Sequence, residues 1–256
     1  MSHIYTLVNQ KGGVGKTTTA INIAAYLAQM RQRVLVVDLD PQANATACLG
    51  VDKYVVHGST YEALLNGDIP AAAILYNERL QLSLLPSSPS LAGAEIELVD
   101  ESRREFRLRD ALETLEGKYD YVLIDCPPSL GLLTVNGLVA ARDGVLVPVQ
   151  CEYLALEGLG QLTQTIQRVQ SSLFPGLRVR GVILTMFDPR TNLSNDVVRE
   201  VHNHFPGQVF KSIVPRSIRL AEAPSYGLPI SVYAPSSVGA HAYEELAREL
   251  LQGDEK

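Results

Sequence analysis

The stretch Asn9-Gln10-Lys11-Gly12-Gly13-Val14-Gly15-Lys16-Thr17-Thr18 decides how this 256-residue chain folds. It lies between a short apolar run, residues 4–8, and residues 17–31, where Ala20, Ile21, Ala24, Leu27 and Ala28 recur at helical spacing. A glycine-rich turn that opens a helix aims its backbone N–H groups at one small volume, and the helix N-terminus adds positive potential there. Phosphate oxygens fit that volume. Gly12, Gly13 and Gly15 permit dihedrals or close approaches that a Cβ would obstruct. Lys16 can set its ammonium against the β- and γ-phosphates of a nucleotide, and the Thr17 hydroxyl can ligate Mg²⁺. The pattern departs from the common G-x-x-x-x-G-K-[ST] loop: Gln10 stands where its first glycine would fall, and Lys11 supplies a second cation. Two ammonium groups compete for one small volume unless extra anionic charge lies nearby.

Working outward, residues 34–37, 121–124, 145–149, Val179–Thr185 and 209–214 read as further strands, mostly continuous apolar runs. Such runs suit strands buried on both faces. Residues 103–115, 159–173 and 240–251 read as helices among them. This alternation predicts an α/β fold, a mostly parallel twisted sheet with helices on both faces, and the loop at residues 9–18 makes the expected type that of a P-loop NTPase. The most linker-like piece, residues 85–93 (LPSSPSLAG), is short, so residues 1–256 are expected to form one domain.

Two of the strands end in carboxylates. Val34-Leu35-Val36-Val37-Asp38-Leu39-Asp40-Pro41-Gln42 places Asp38 and Asp40 at the C-terminal end of one of them, the edge at which open α/β sheets bind ligands. Asp40 could orient a water for attack on a γ-phosphate, and Asp38 could support Mg²⁺ or the loop. Tyr121-Val122-Leu123-Ile124-Asp125-Cys126-Pro127-Pro128 has the Walker B pattern, in which the aspartate, here Asp125, binds Mg²⁺, usually through water. Cys126 reads as a small buried filler.

Composition bounds the rest. With 46% hydrophobic and 20% charged residues the chain is neither disordered, collagen-like nor a coiled coil. Cys48, Cys126 and Cys151 are odd in number and far apart, which disfavours a disulfide framework, a zinc site or a cluster cradle and fits a reducing cytosol. No apolar run approaches a membrane span and no leader-like start is present, so a soluble cytoplasmic protein is expected. The net charge of −6 argues against nucleic acid, but its distribution does not. Residues 176–220 hold seven basic and three acidic side chains, a local +4 that leaves −10 for the remainder. Chance fluctuation on a solvated surface is the other reading of that stretch.

The K-G-G-x-G-K-T arrangement of residues 11–17 resembles the deviant Walker A motif of the ParA/MinD ATPases. The resemblance extends over nearly the whole chain. It includes the carboxylate motifs above, Thr185-Met186-Phe187-Asp188-Pro189-Arg190-Thr191-Asn192, and residues 213–224 (IVPRSIRLAEAP). It is closest to the short, chromosomal-type ParA proteins, also called Soj.

That resemblance implies a Mg²⁺-dependent ATP hydrolase with slow intrinsic turnover, serving chromosome or plasmid segregation. Lys11 would reach across to a partner's nucleotide, so that ATP holds two subunits face to face as a homodimer. Lys11, Lys16 and Asp40 would be the catalytic residues, with Lys11, Gly12, Gly13, Val14, Gly15, Lys16, Thr17 and Thr18 on the nucleotide. Thr17, Asp40 and Asp125 would hold Mg²⁺. Pro215 and Ser217 match the adenine-contacting loop, where many members carry Asn in place of Ser217. Arg190 and Arg219 match arginines that line a surface for nonspecific double-stranded DNA across the dimer; solvated loop arginines are the alternative. A ParB-type centromere-binding protein would be the partner, and the location cytoplasmic and nucleoid-associated. Longer plasmid relatives place a helix-turn-helix domain ahead of the loop; with the loop at residue 9, none is expected here.

The alternative within the family is a MinD-like, membrane-associated positioning ATPase. Such relatives end in a basic amphipathic helix, whereas Glu244, Glu245, Glu249, Asp254 and Glu255 outnumber Arg248 and Lys256 in this tail. Anionic lipid would repel it, so a packed final helix is expected. Reductases and cluster carriers on the same fold need paired cysteines, which are absent.

Overall fold

The strand that feeds the phosphate loop, β1 (His3–Leu7), lies in the interior of a seven-stranded sheet. The computed structural model describes residues 2–152 and 155–255. The other strands are β2 (Val34–Asp38), β3 (Leu75–Asn77), β4 (Leu82–Leu85), β5 (Tyr121–Asp125), β6 (Gly144–Gln150) and β7 (Val179–Thr185), in the order β3-β4-β2-β5-β1-β6-β7. All pairs are parallel except the edge pair β3–β4. The order runs outward from β1 through β5, β2 and β4 on one side and through β6 and β7 on the other. The crevice for a ligand therefore lies at the C-terminal ends of the strands around β1.

The helices are α1 (Lys16–Gln29), α2 (Asn44–Cys48), α3 (Thr60–Asn66), α4 (Leu91–Glu97), α5 (Arg107–Glu113), α6 (Leu132–Ala140), α7 (Ala155–Ser172), α8 (Asn192–His204), α9 (Ile218–Glu222), α10 (Ile230–Tyr233) and α11 (Val238–Asp254). Both sheet faces are covered, as the continuous apolar strands require. Val34 and Val36 of β2, with Tyr121 and Leu123 of β5, join a core formed with α1 and α11. Their neighbours Leu35, Val37, Val122 and Ile124 point the other way, into a core formed with α3, α4 and α5. β6 and β7 pack under α6, α7 and α8. The expected closing helix is α11, and its apolar residues Ala240, Tyr243, Leu246, Ala247 and Leu250 are buried in the core shared with α1.

Two expectations change. Residues 209–214 do not form a continuous strand: Val209 makes an isolated bridge to Val182 of β7, and the N–H groups of Phe210 and Val214 bond to the Val182 (3.0 Å) and Leu184 (2.9 Å) carbonyls, with the residues between them out of the ladder. The cause is Glu249 of α11, whose carboxylate accepts the N–H groups of Lys211 (2.9 Å) and Ser212 (3.1 Å) and bends the segment out of the ladder. The helix expected over residues 103–115 shortens to α5, because Arg103 sits at φ 55° and a 3₁₀ turn, Arg104–Phe106, intervenes. Residues 85–93, the most linker-like piece of the sequence, are packed: Ser87 and Ser88 are buried behind the strand ends, between β4 and α4.

At the opposite end of the sheet, Asp254 closes α11 onto β1, β5 and β7. Its carboxylate accepts hydrogen bonds from Tyr5 Oη (2.7 Å), Tyr121 Oη (3.0 Å) and Arg180 Nη2 (3.1 Å). Burial, reinforced by Asp254, holds both phenols protonated well above their usual range. Asp254→Ala strands these donors in a nearly dry site, while Arg180 keeps some access to water. The expected loss is about 2–3 kcal/mol of stability, read from the urea midpoint. An unchanged midpoint would mean that α11 is held by its apolar face alone.

Candidate functional site

The turn between β1 and α1 is held from three sides. Asn9 donates its side-chain amide to the Pro148 carbonyl (2.7 Å) and accepts the Lys11 N–H (3.0 Å). Thr185, at the end of β7, donates its hydroxyl to the Val14 carbonyl (2.8 Å). Gly13 and Gly15 lie at φ 75° and 90°, the left-handed region that a side chain strains. Gly15 caps α1 without a side-chain acceptor, and the first turn carries no acidic residue. The N–H groups there are therefore open to an outside anion. Lys16 is 7% exposed, and its ammonium lies 3.3 Å from the Lys11 carbonyl. Burial pulls its pKa down, against the opposing pull of Asp125 and Asp40.

The carboxylates stand beside it. Asp38 and Asp125 are register partners at the ends of β2 and β5, and Leu7 of β1 pairs with Asp125 on its other side. The Thr17 hydroxyl donates to Asp125 Oδ2 at 2.6 Å. The other oxygen of Asp125 is buried and has no hydrogen-bond partner among the described residues. Burial, and then the neighbouring Asp38 charge, push Asp125 above the usual carboxylate range. A buried carboxylate oxygen without a partner, beside a threonine hydroxyl and in a cluster short of positive charge, fits a divalent cation. Among the described residues no group of three or more His, Cys, Asp or Glu forms a metal cage. Mg²⁺ needs none, since it keeps its waters and takes substrate phosphates with one or two protein ligands.

Asp40 is 5% exposed; its Oδ1 accepts the Gln42 N–H at 2.9 Å. Of the two roles open to Asp38, the geometry favours bracing the loop. Asp38 Oδ1 accepts the Asp40 N–H (3.2 Å), and Oδ2 accepts both the N–H (2.8 Å) and the hydroxyl (2.7 Å) of Thr46. Burial raises the Asp38 pKa to about 6, and these bonds oppose that rise.

Pro215 and Ser217 come to the same site. With Gly15, Thr18, Thr185 and Met186 they line a cleft of about 400 Å³ beside the start of α1. Met186 there sits at φ 51°, a costly conformation for a side chain with a Cβ. The stretch of local charge +4 does not form one patch. Arg178 and Arg180 lie at the start of β7, with Arg180 paired to Asp254, while Arg190 follows the far end of that strand. The backbone bonds of Phe187 to Val214 and of Arg216 to Phe187 lay residues 187–190 beside 214–219. Arg190 and Arg219 are exposed but locally paired, to Asp188 at 2.7 Å and Glu222 at 2.9 Å. Sequence reading missed Thr46, Ser87 and the anchoring role of Thr185. Only Thr185 carried a signal, its place at the C-terminal end of an apolar strand.

A glycine turn with two lysines after an interior strand, flanked by strand-end carboxylates, defines a P-loop nucleotide-binding protein of the deviant Walker A type. Residues 2–179 match a family model described as an AAA domain. The chain is 54% identical to the chromosome partitioning protein ParA of Myxococcus xanthus, over 99% of this chain and 89% of that protein. It is 51% identical to the sporulation initiation inhibitor protein Soj of Bacillus subtilis, over 98% of each. Among solved structures it superposes with a TM-score of 0.88, at 41% identity, on one named cobyrinic acid a,c-diamide synthase, from Mycobacterium smegmatis, with a bound ATP analog and magnesium. That match covers 100% of this chain and 97% of the other. The chain belongs to the ParA/Soj family of chromosome-partitioning ATPases. No helix among the described residues is long and apolar enough to cross a membrane.

Proposed function

We propose that this chain, acting as one nucleotide-binding unit, is an ATP-driven partition switch. The observation that carries the proposal is the Thr17–Asp125 pair, with one buried Asp125 oxygen unpartnered, at the mouth of a phosphate loop whose N–H groups are open. Residues 12–18 bind the triphosphate, Lys16 neutralises it, and the cleft at Pro215 and Ser217 takes the adenine. Thr17, Asp125 and Asp40 hold Mg²⁺, which when bound neutralises the β- and γ-phosphate charge. Lys11 extends to the nucleotide of a second copy, so that ATP holds the homodimer together. Asp40 orients the attacking water. Turnover is slow without help because no arginine among the described residues stands as an internal finger, and a ParB-type centromere-binding protein accelerates it. The switch rests on association: nucleotide state biases the dimer, and the dimer creates the DNA surface.

Arg190 and Arg219 supply that surface, the region alongside the nucleoid in this reading. Both guanidinium groups are largely exposed, so contact with DNA phosphates must compete with the half-buried carboxylates of Asp188 and Glu222 in pairs that water and salt screen. Binding to random-sequence duplex with ATP, ADP or no nucleotide, at two salt concentrations, tests the whole reading. Tight binding only with ATP, weakening as salt rises, is expected. Arg219→Glu is expected to lower that affinity about tenfold or more while the ATP dimer persists in size-exclusion chromatography. Unchanged DNA binding would return Arg219 to an ordinary surface role. The diamide-synthase name of the structural neighbour does not redirect the reading, because relatives of higher identity over nearly the whole chain are named for chromosome partitioning.

A further inference from the structure

The Asp40 loop is gripped from behind by residues far away in sequence. Thr46 is the hub: it donates its N–H and hydroxyl to Asp38 Oδ2, and its hydroxyl oxygen accepts the Ser87 N–H at 2.9 Å. Ser87 in turn donates its own hydroxyl to the Asp40 carbonyl at 2.8 Å. Asp38 closes the ring by accepting the Asp40 N–H. Thr60, the first residue of α3, donates its hydroxyl to the Asp38 carbonyl at 2.6 Å and holds Pro86 as well. Thr46, Thr60 and Ser87 are wholly buried, as is Asp38. Within the loop Ala43, also wholly buried, is held at φ 51°, a strained state that persists only when its surroundings over-determine it.

We infer that Thr46 and Ser87 are positioning residues for hydrolysis: with Asp38 they fix the peptide groups on both sides of the Asp40 Cα and so set where its carboxylate sits. The inference rests on the reading of Asp40 as the residue that orients the attacking water. The ring leaves the Asp40 side chain untouched: its bonds go to the Asp40 N–H and carbonyl, so the carboxylate is held by its backbone. None of the three hydroxyls contacts the phosphate loop. Loosening the ring therefore misplaces Asp40 without removing a nucleotide contact, and misplacement of about 1 Å is enough to cost hydrolysis heavily. The segment 85–88 comes within reach because β4 pairs with β2, with Leu85 opposite Val37. A stretch that looks like a linker is thus the back wall of the site.

Ser87→Ala, Thr46→Val and Thr46→Ser test this, with Asp40→Ala as reference. Phosphate release under saturating ATP gives kcat, and a fluorescent ATP analogue gives Kd. Ser87→Ala and Thr46→Val are expected to lower kcat roughly ten- to hundredfold, as supporting partners of catalytic ligands do, with Kd within about threefold of the parent. Thr46→Ser, which restores the hydroxyl, is expected to recover most of the rate. A structural role alone would lower the melting temperature without separating kcat from Kd. Should Thr46→Val fail to fold, Ser87→Ala decides by itself, since it removes one oxygen from a small side chain. Parent-like kcat in Ser87→Ala, beside an inactive Asp40→Ala, would overturn the positioning role and leave the function standing. Normal turnover in Asp40→Ala would overturn the reading of Asp40, and the positioning role with it.

Discussion

Lys16→Ala is expected to abolish measurable ATP binding while leaving the protein folded. The Lys16 ammonium is the one cation carried by α1, the residue is 7% exposed, and the charges of Asp125 and Asp40 act on it. Truncating one partner of a buried, hydrogen-bonded charge pair costs about 2–5 kcal/mol. In Kd that is roughly a thirty- to several-thousandfold loss. Hydrolysis and ATP-dependent DNA binding must then fall together, since both lie downstream of the nucleotide. Alanine is the best helix former, and among the described residues the Lys16 ammonium donates to the Lys11 carbonyl alone, so the fold has little reason to suffer. Calorimetric titration with ATP and Mg²⁺, alongside a melting curve, checks both halves. A variant that keeps parent-like affinity would show that the turn at residues 12–18 is not the phosphate site.

The parts of this architecture legible in the sequence are those whose causes are local. A glycine turn that must reach φ 75° and 90° at Gly13 and Gly15 can hardly be written with other residues, so it announces itself. Strands buried on both faces show as apolar runs, and the carboxylates that end them, Asp38 and Asp125, mark the ligand edge of the sheet. What stayed hidden depends on partners distant along the chain. Ser87 gains its place only because β4 pairs with β2 about fifty residues earlier, and nothing in LPSSPSLAG hints at that pairing. Residues 209–214 have the composition of a strand, yet Glu249, nearly forty positions later, captures the N–H groups the ladder needs. The basic stretch misleads for the same reason. Charge counted along the chain ignores that β7 carries its two halves to opposite ends of the strands, with Asp254 already neutralising Arg180.

Asp40→Ala is expected to do the reverse of Lys16→Ala: ATP is kept and turnover is lost. The difference follows from how each residue is held. Among the described residues the Asp40 carboxylate makes a single hydrogen bond, to the Gln42 N–H, whereas the Asp40 backbone is fixed independently by Asp38 and Ser87. Removing the carboxylate should therefore leave the loop where it is, with Thr17, Asp125 and Lys16 still in place for the nucleotide. What disappears is the group that orients water, and general-base or water-orienting side chains contribute about 10²–10⁴ in rate. Phosphate release should fall by at least two orders of magnitude, with or without a stimulating partner. Because hydrolysis is the proposed exit from the DNA-bound dimer, retention on random-sequence DNA with ATP should lengthen, and ADP should still give none. Loss of turnover with unchanged dissociation from DNA would separate release from hydrolysis and place the exit step in the dimer itself. Normal turnover would remove Asp40 from the chemistry and leave Asp125 as the strand-end carboxylate that matters.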